Sequence, residues 1–146
     1  MAGLYANETV WAVDFNALIE ASGVTYTDIA DVVSIAFGGI TMQTLETTVH
    51  GDTWRNHTTG LKDGGTIDMT VRFAPETHAD LLDNIGETFA TKVTFPKETS
   101  SNTTPASIEW NTILTSLSIS APHDGLLEAS VTLQTTGAPT ITDEAA

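Results

Sequence analysis

Residues 61–76 read Leu-Lys-Asp-Gly-Gly-Thr-Ile-Asp-Met-Thr-Val-Arg-Phe-Ala-Pro-Glu, and this stretch decides the fold class. Asp63-Gly64-Gly65 is turn chemistry, because glycine reaches positive φ without steric cost. Ile67, Met69, Val71 and Phe73 then alternate with Thr66, Asp68, Thr70 and Arg72, the period-2 pattern of a strand with one buried face. The stretch carries no recognisable chemistry.

Other segments repeat the pattern on both sides. Val10–Phe15 places Trp11, Val13 and Phe15 on one face. The run 29–37, with Ile29, Val33, Ile35 and Phe37 on one face and Val32 opposite, reads as a central strand covered on both sides. Gly38-Gly39 breaks it, and Ile40–Val49 returns as a Thr-rich strand. Thr88–Phe95 groups Phe89, Val93 and Phe95 before Pro96 stops the strand. The last third reads as a long hairpin. Ile108 and Trp110 share one parity and Ile113, Leu117 and Ile119 the other, so a β-bulge is expected near Thr112. Pro122-His123-Asp124-Gly125 is the turn, and Leu127, Ala129, Val131 and Leu133 alternate on the return.

One short helix, about 78–86, interrupts the strands. Thr77 stands as its cap with Asp80 three residues on, Leu81, Leu82 and Ile85 form an apolar stripe, and Gly86 ends it. The expected fold is mainly β: an antiparallel β-sandwich or partly closed barrel with one short helix. A chain of 146 residues forms one domain, 1–146, and buries about 70% of the surface its unfolded form exposes. A flexible N-terminal arm 1–9, a long polar loop 50–64 and a C-terminal tail 137–146 fall outside the core pattern, as does the low-apolar segment 96–105.

Nineteen acidic residues face five basic ones, a formal net charge of −14. The acids are scattered singly, which argues against binding to phosphate backbones and suits a surface that nucleic acid passes without sticking. Cysteine is absent, so thiolate metal sites and disulfides are excluded. No apolar run reaches the roughly 18–20 residues of a membrane span, and residues 1–8 do not read as a secretory leader.

Catalytic and metal-binding patterns are not found. His50, Asp52 and His57 share the long loop without the spacing of a closed metal site, and His78 and His123 occupy solvent positions at a helix start and in a turn. No serine lies in a nucleophile elbow, and neither diglycine is followed by the helix and lysine of a phosphate loop. No cofactor is implied. Glu46, Asp68, Glu109 and Glu128 fall on strands, where sequence cannot pair them at a glycosidase separation. Trp54 and Arg55, adjacent in the polar loop, are residue types enriched at interface hot spots.

The segment Thr47-Thr48-Val49-His50-Gly51-Asp52, followed by residues 60–75 with their Leu-x-Asp-Gly-Gly turn and Phe-x-Pro exit, resembles the major tail tube protein of long-tailed, non-contractile bacteriophages. Val33-Ser34-Ile35 before a glycine break and the closing Thr135-Thr136-Gly137-Ala138-Pro139-Thr140 extend the resemblance over roughly residues 28–140. It implies a structural protein without enzymatic activity. Subunits of that family form hexameric rings whose sheets join into an inner barrel, and the rings stack into a tube that conducts double-stranded DNA into the host without binding it specifically.

The implied partners are further copies of the chain and the tail terminator, tape measure and distal tail proteins, with no membrane binding. The implied location is the virion tail, assembled in the bacterial cytoplasm. Trp54, Arg55, Asn56, His57 and Leu61 become candidates for ring stacking; Glu46, Asp68, Glu109 and Glu128 become candidates for an acidic lumen lining. Some relatives carry an immunoglobulin-like domain after the tube domain; here nothing follows Ala146, so a bare tube is expected. Two alternatives stand beside this reading: the inner tube of a contractile injection or secretion apparatus, and a carbohydrate-binding or hydrolysing β-sandwich.

Overall fold

A computed structural model describes residues 9–14, 26–29, 31–98 and 101–145. In chain order the elements are β1 (Val10–Asp14), β2 (Thr27–Asp28), β3 (Val32–Phe37), β4 (Thr41–Glu46), β5 (His57–Asp63), β6 (Thr66–Arg72), α1 (Pro75–Asp83), β7 (Thr88–Thr94), β8 (Ser107–Ser120) and β9 (Glu128–Thr142). Seven strands form one sheet in the order β2-β1-β7-β8-β9-β6-β3, and β4 and β5 form a second, two-stranded sheet. All strand pairings are antiparallel. The mainly β architecture with one short helix stands as the alternating sequence predicts.

Cross-strand partners share a face, so the register places the core. Ile67 lies opposite Leu133, which lies opposite Leu114; Met69 lies opposite Val131, which lies opposite Leu117. On the other wing Trp11 pairs with Val93, and Phe89 and Val93 point the same way as Trp110 and Leu114. These side chains form one continuous buried cluster, with Leu117 partly buried against it. Within it, the hydroxyls of Thr91 and Thr112 satisfy each other at 2.7 Å, as buried polar groups must.

The sheet is curled. Phe37 on β3 and Trp110 on β8 stand three strand spacings apart in the sheet order, roughly 14 Å if the sheet were flat. Their ring centroids are 5.3 Å apart. The sheet therefore wraps over its own apolar face as a half-barrel. Bulges assist the bend: β8 advances from Leu114 to Ser116 while β9 advances only from Leu133 to Thr132, leaving Thr115 as the extra residue. A register shift at Glu109/Asn111, where β9 runs through Gly137 at φ 79, is a second irregularity. The parity switch expected near Thr112 thus falls at Thr115; Trp110, Thr112 and Leu114 all point inward, and Ile113 points away.

Several expectations are corrected. The run 29–37 is not a central strand, because β3 ends the sheet and Val33 and Phe37 stay 51% and 41% exposed. An apolar run reads alike at the centre of a sheet and at its end. The loop 50–64 is a strand over its second half: β5 pairs with β4, and the connecting segment is 47–56. Thr58-Thr59-Gly60 show no alternation because neither face of that hairpin is buried. The tail 137–146 continues β9 as far as Thr142, paired to β8. Beyond it, the Glu144 carboxylate accepts from the Glu98 amide at 2.8 Å and the Asn102 side chain at 2.7 Å, which ties the chain end to segment 96–105. The N-terminal arm 1–8 and Phe15 lie outside the described residues.

The helix starts earlier than expected, at Pro75, whose fixed φ suits the first helical position. Ala74 holds the cap position with no side-chain cap, and its own amide donates to His78 Nδ1 at 2.9 Å. Thr77 therefore lies inside the first turn, and its side chain lies outside the described residues. His78 is not a solvent histidine, being fully buried and stacked on Phe73. The buried stripe is His78 and Leu81, while Leu82 and Ile85 are 41% and 47% exposed.

Candidate functional site

The candidate site is the arm formed by β4, β5 and their connection. Its ladder continues that of β3 and β6: Phe37 pairs with Ile67, the Gly38 amide donates to the Thr66 carbonyl at 2.7 Å, and Thr41 pairs with Asp63. One long ribbon therefore runs through the sheet and out of it. At rises near 3.4 Å per residue, the paired part of the arm extends roughly 20 Å.

Glycines make the junction. Gly65 has φ +74, and a Cβ there would run into the Gly39 carbonyl oxygen. Its amide donates to Asp63 Oδ1 at 2.8 Å. Its carbonyl oxygen accepts from the Thr135 hydroxyl at 2.8 Å, the Gln134 side-chain amide at 3.1 Å and the Thr135 amide at 3.2 Å. Gly64 presses so closely on the Thr135 side chain that a Cβ would meet its hydroxyl. The base of the arm is thus locked to β9.

Beyond its base the arm is uncovered. Ile40, Met42, Leu45, Val49 and Leu61 are 45–82% exposed, with Met42 and Leu61 at the limits of that range. Register puts Met42, Lys62, Glu46 and His57 on one face and Leu45, Thr58 and Asp63 on the other. A two-stranded ribbon with no covered face is marginal in water on its own.

The tip is ordered by its own polar groups. Asp52 Oδ2 accepts from the Val49 amide at 3.0 Å and the Asn56 side chain at 3.1 Å. The Asn56 amide donates to Thr48 Oγ1 at 2.9 Å, and the Asp52 amide donates to the Val49 carbonyl across a turn with Gly51 at φ 105. This frame holds Trp54 out at 83% exposure, so the indole does not fold back on its own sheet.

The predicted stacking residues consequently divide. Trp54, Arg55 and Leu61 are open surface. Asn56 spends its side chain on the tip, and His57 stands opposite Glu46 in the ladder. Sequence reasoning missed Met42, Leu45 and Asp52; the Thr-rich setting of the first two hid them, and Asp52 acts through turn geometry.

The predicted acidic lining also divides. Glu46 is on the arm. Asp68, Glu109 and Glu128 share the face of the large sheet opposite the core, among rows such as Thr70–Ser130–Ser118. Glu109 has Lys92 at 3.6 Å, Glu128 stands opposite Arg72, and Asp68 accepts from the Thr132 hydroxyl at 3.0 Å. This face is chiefly hydroxyl-bearing. Asp68 and Glu128 stand four residues apart along β6 and β9, roughly 13 Å, beyond the separation of glycosidase carboxyl pairs. Trp11 and Trp110 are buried, which leaves Trp54 as the exposed one of the three tryptophans.

No family model matches this sequence, and no curated protein does. Solved structures do. The chain overlaps the subunit of the SPP1 tail tube with a TM-score of 0.70 over 99% of its length and 81% of that chain, at 11% identity. The fold is that of tail tube proteins. It overlaps a chain of the tail of an empty gene transfer agent particle, refined with C6 symmetry, at 0.69 over 96% and 99% of the two chains and 16% identity. It overlaps a chain of the PVC extracellular contractile injection system sheath/tube terminator at 0.71 over 97% and 98%, with 12% identity.

Proposed function

We propose that this chain is the repeating subunit of a tail tube, stacked as hexameric rings into a conduit for double-stranded DNA. The observation that carries the reading is the β4–β5 arm, an ordered ribbon uncovered on both faces, on a body that overlaps tube subunits end to end. Such a ribbon is completed by another copy. Trp54, Arg55 and Leu61 are its stacking contacts, and the sixfold symmetry of the gene transfer agent tail supports a hexameric ring.

The polar face of the seven-stranded sheet is the proposed lumen. Its Ser and Thr rows and few cations give DNA little to adhere to, with Asp68 as the carboxylate that no cation faces in the ladder. The role is structural and not catalytic. The protein acts in the virion tail after assembly in the host cytoplasm, with terminator, tape measure and distal tail proteins at the ends of the tube. The residues left to termini and loops are assembly parts in this reading.

A second reading is favoured by the overlap with the PVC contractile system: an inner tube that works within a sheath. Both readings require the same rings. Electron microscopy of the purified protein across a concentration series is the test. Hexameric rings or hollow tubes are expected, and a strictly monomeric species at every concentration overturns the proposal. Testing whether the assembled tubes recruit the sheath protein of a contractile injection system separates the two readings.

A further inference from the structure

The charge of the chain is unevenly divided. Residues 40–63 carry Arg55 and Lys62 against Glu46, Asp52 and Asp63, which leaves three of the five cations against sixteen of the nineteen acids elsewhere. A nearly neutral arm therefore projects from a strongly acidic body.

Helix α1 is the counterpart of the arm tip. Leu82, in its last turn, and Ile85, two residues past its end, are 41% and 47% exposed, and Ala79 is exposed one turn before Leu82. Asp80 and Asp83 are exposed beside them, the last turn holds no basic residue, and neither carboxylate has an ion-pair partner among the described residues. Carboxylates at a helix C-terminus face the negative end of the macrodipole, so a cation brought there is stabilising. The tip offers that combination in adjacent residues, an indole and a guanidinium. The body's Lys92 is engaged with Glu109 and the Tyr26 ring, and Arg72 faces Glu128. Trp54, Leu82 and Ile85 are all open, so the indole does not meet the other two within one copy.

We infer that the arm tip of one copy docks on α1 of a neighbouring copy, with Trp54 over Leu82 and Ile85 and Arg55 against Asp80 and Asp83. This deepens the tube reading and rests on it. Arginine forks match carboxylates bidentately, and a tryptophan seated on aliphatic side chains shields the pair from water, which strengthens it.

The test is charge exchange read by light scattering and electron microscopy. Arg55→Glu alone, and Asp80→Lys with Asp83→Lys alone, are expected to raise the concentration needed for assembly by about tenfold or more. Combining all three substitutions restores assembly. Normal assembly of both partial variants, or no recovery in the combination, overturns the pairing.

The absence of cysteine allows a second measurement that does not depend on charge. Thr53→Cys with Ala79→Cys in one chain, both exposed and leaving Trp54, Arg55, Leu82 and Ile85 in place, oxidised in the assembled state, is expected to give a ladder of covalent oligomers on a denaturing gel. Tubes without a ladder overturn the docking and leave the tube reading standing. An unsubstituted protein that never forms rings overturns both.

Discussion

The Thr135 hydroxyl donates to the Gly65 carbonyl oxygen at 2.8 Å, joining β9 to the turn from which the arm departs. The same oxygen takes the Thr135 amide and the Gln134 side chain, so one carbonyl fixes the base of the arm through three donors. The junction thus ties the base of the arm to the seven-stranded sheet.

Thr135→Val removes one of these donors and keeps the shape. Two donors remain, so the expected loss is about 1 kcal/mol of folding stability. A urea titration should show a lower midpoint with an unchanged slope.

Gly64→Ala and Gly65→Ala test the junction sterically. At Gly65 the residue must hold φ +74 against the Gly39 carbonyl, a conformation costing an L-residue about 1–2 kcal/mol before the clash is counted. At Gly64 the added methyl meets the Thr135 hydroxyl. Gly64→Ala combined with Thr135→Ala should therefore be less destabilising than the two effects added, and a double-mutant cycle measures the difference.

Trp54→Ala should separate folding from assembly. An indole at 83% exposure contributes within about 0.5 kcal/mol to the free subunit, so thermal melts of the monomer stay unchanged. Ring and tube formation should fail at concentrations where the unsubstituted protein assembles.

His78→Ala removes a fully buried side chain, its bond with the Ala74 amide and its stacking on Phe73. The expected cost is about 2–4 kcal/mol by denaturant titration. His78→Asn should lose less, because its amide oxygen can still accept from Ala74.

Asp68 tests the lumen. Asp68→Lys replaces the carboxylate that accepts from Thr132 with a cation on the proposed DNA-facing sheet. Particles built from this variant should form tubes of normal length and deliver DNA more slowly. Unchanged delivery would remove Asp68 from the lining.

Strand and core assignments were legible where burial was one-sided. Ile67, Met69 and Val71, and likewise Ala129, Val131 and Leu133, alternate because one face of the ladder meets the core and the other does not. The helix was legible in position but not in detail, since it starts at Pro75, ahead of the cap that Thr77 suggested, and no side chain caps it. The candidate site was legible in Trp54 and Arg55, two unusual residues side by side. Its scaffold was not. β5 has no buried face to impose a period, and Asp52 acts by accepting two bonds around a turn, which spacing alone does not announce.

By itself, then, the sequence determined a mainly β chain, its inward residues, its glycine breaks and its acidic balance, because alternation and turn chemistry are local consequences of side-chain size and backbone freedom. The tertiary structure decided that the sheet curls until Phe37 meets Trp110, that β3 is an end strand, and that the broken ribbon leaves the body as an arm. Each of these depends on pairing between residues far apart in the chain. No local pattern encodes which strand lies beside which, or which apolar face the fold leaves exposed.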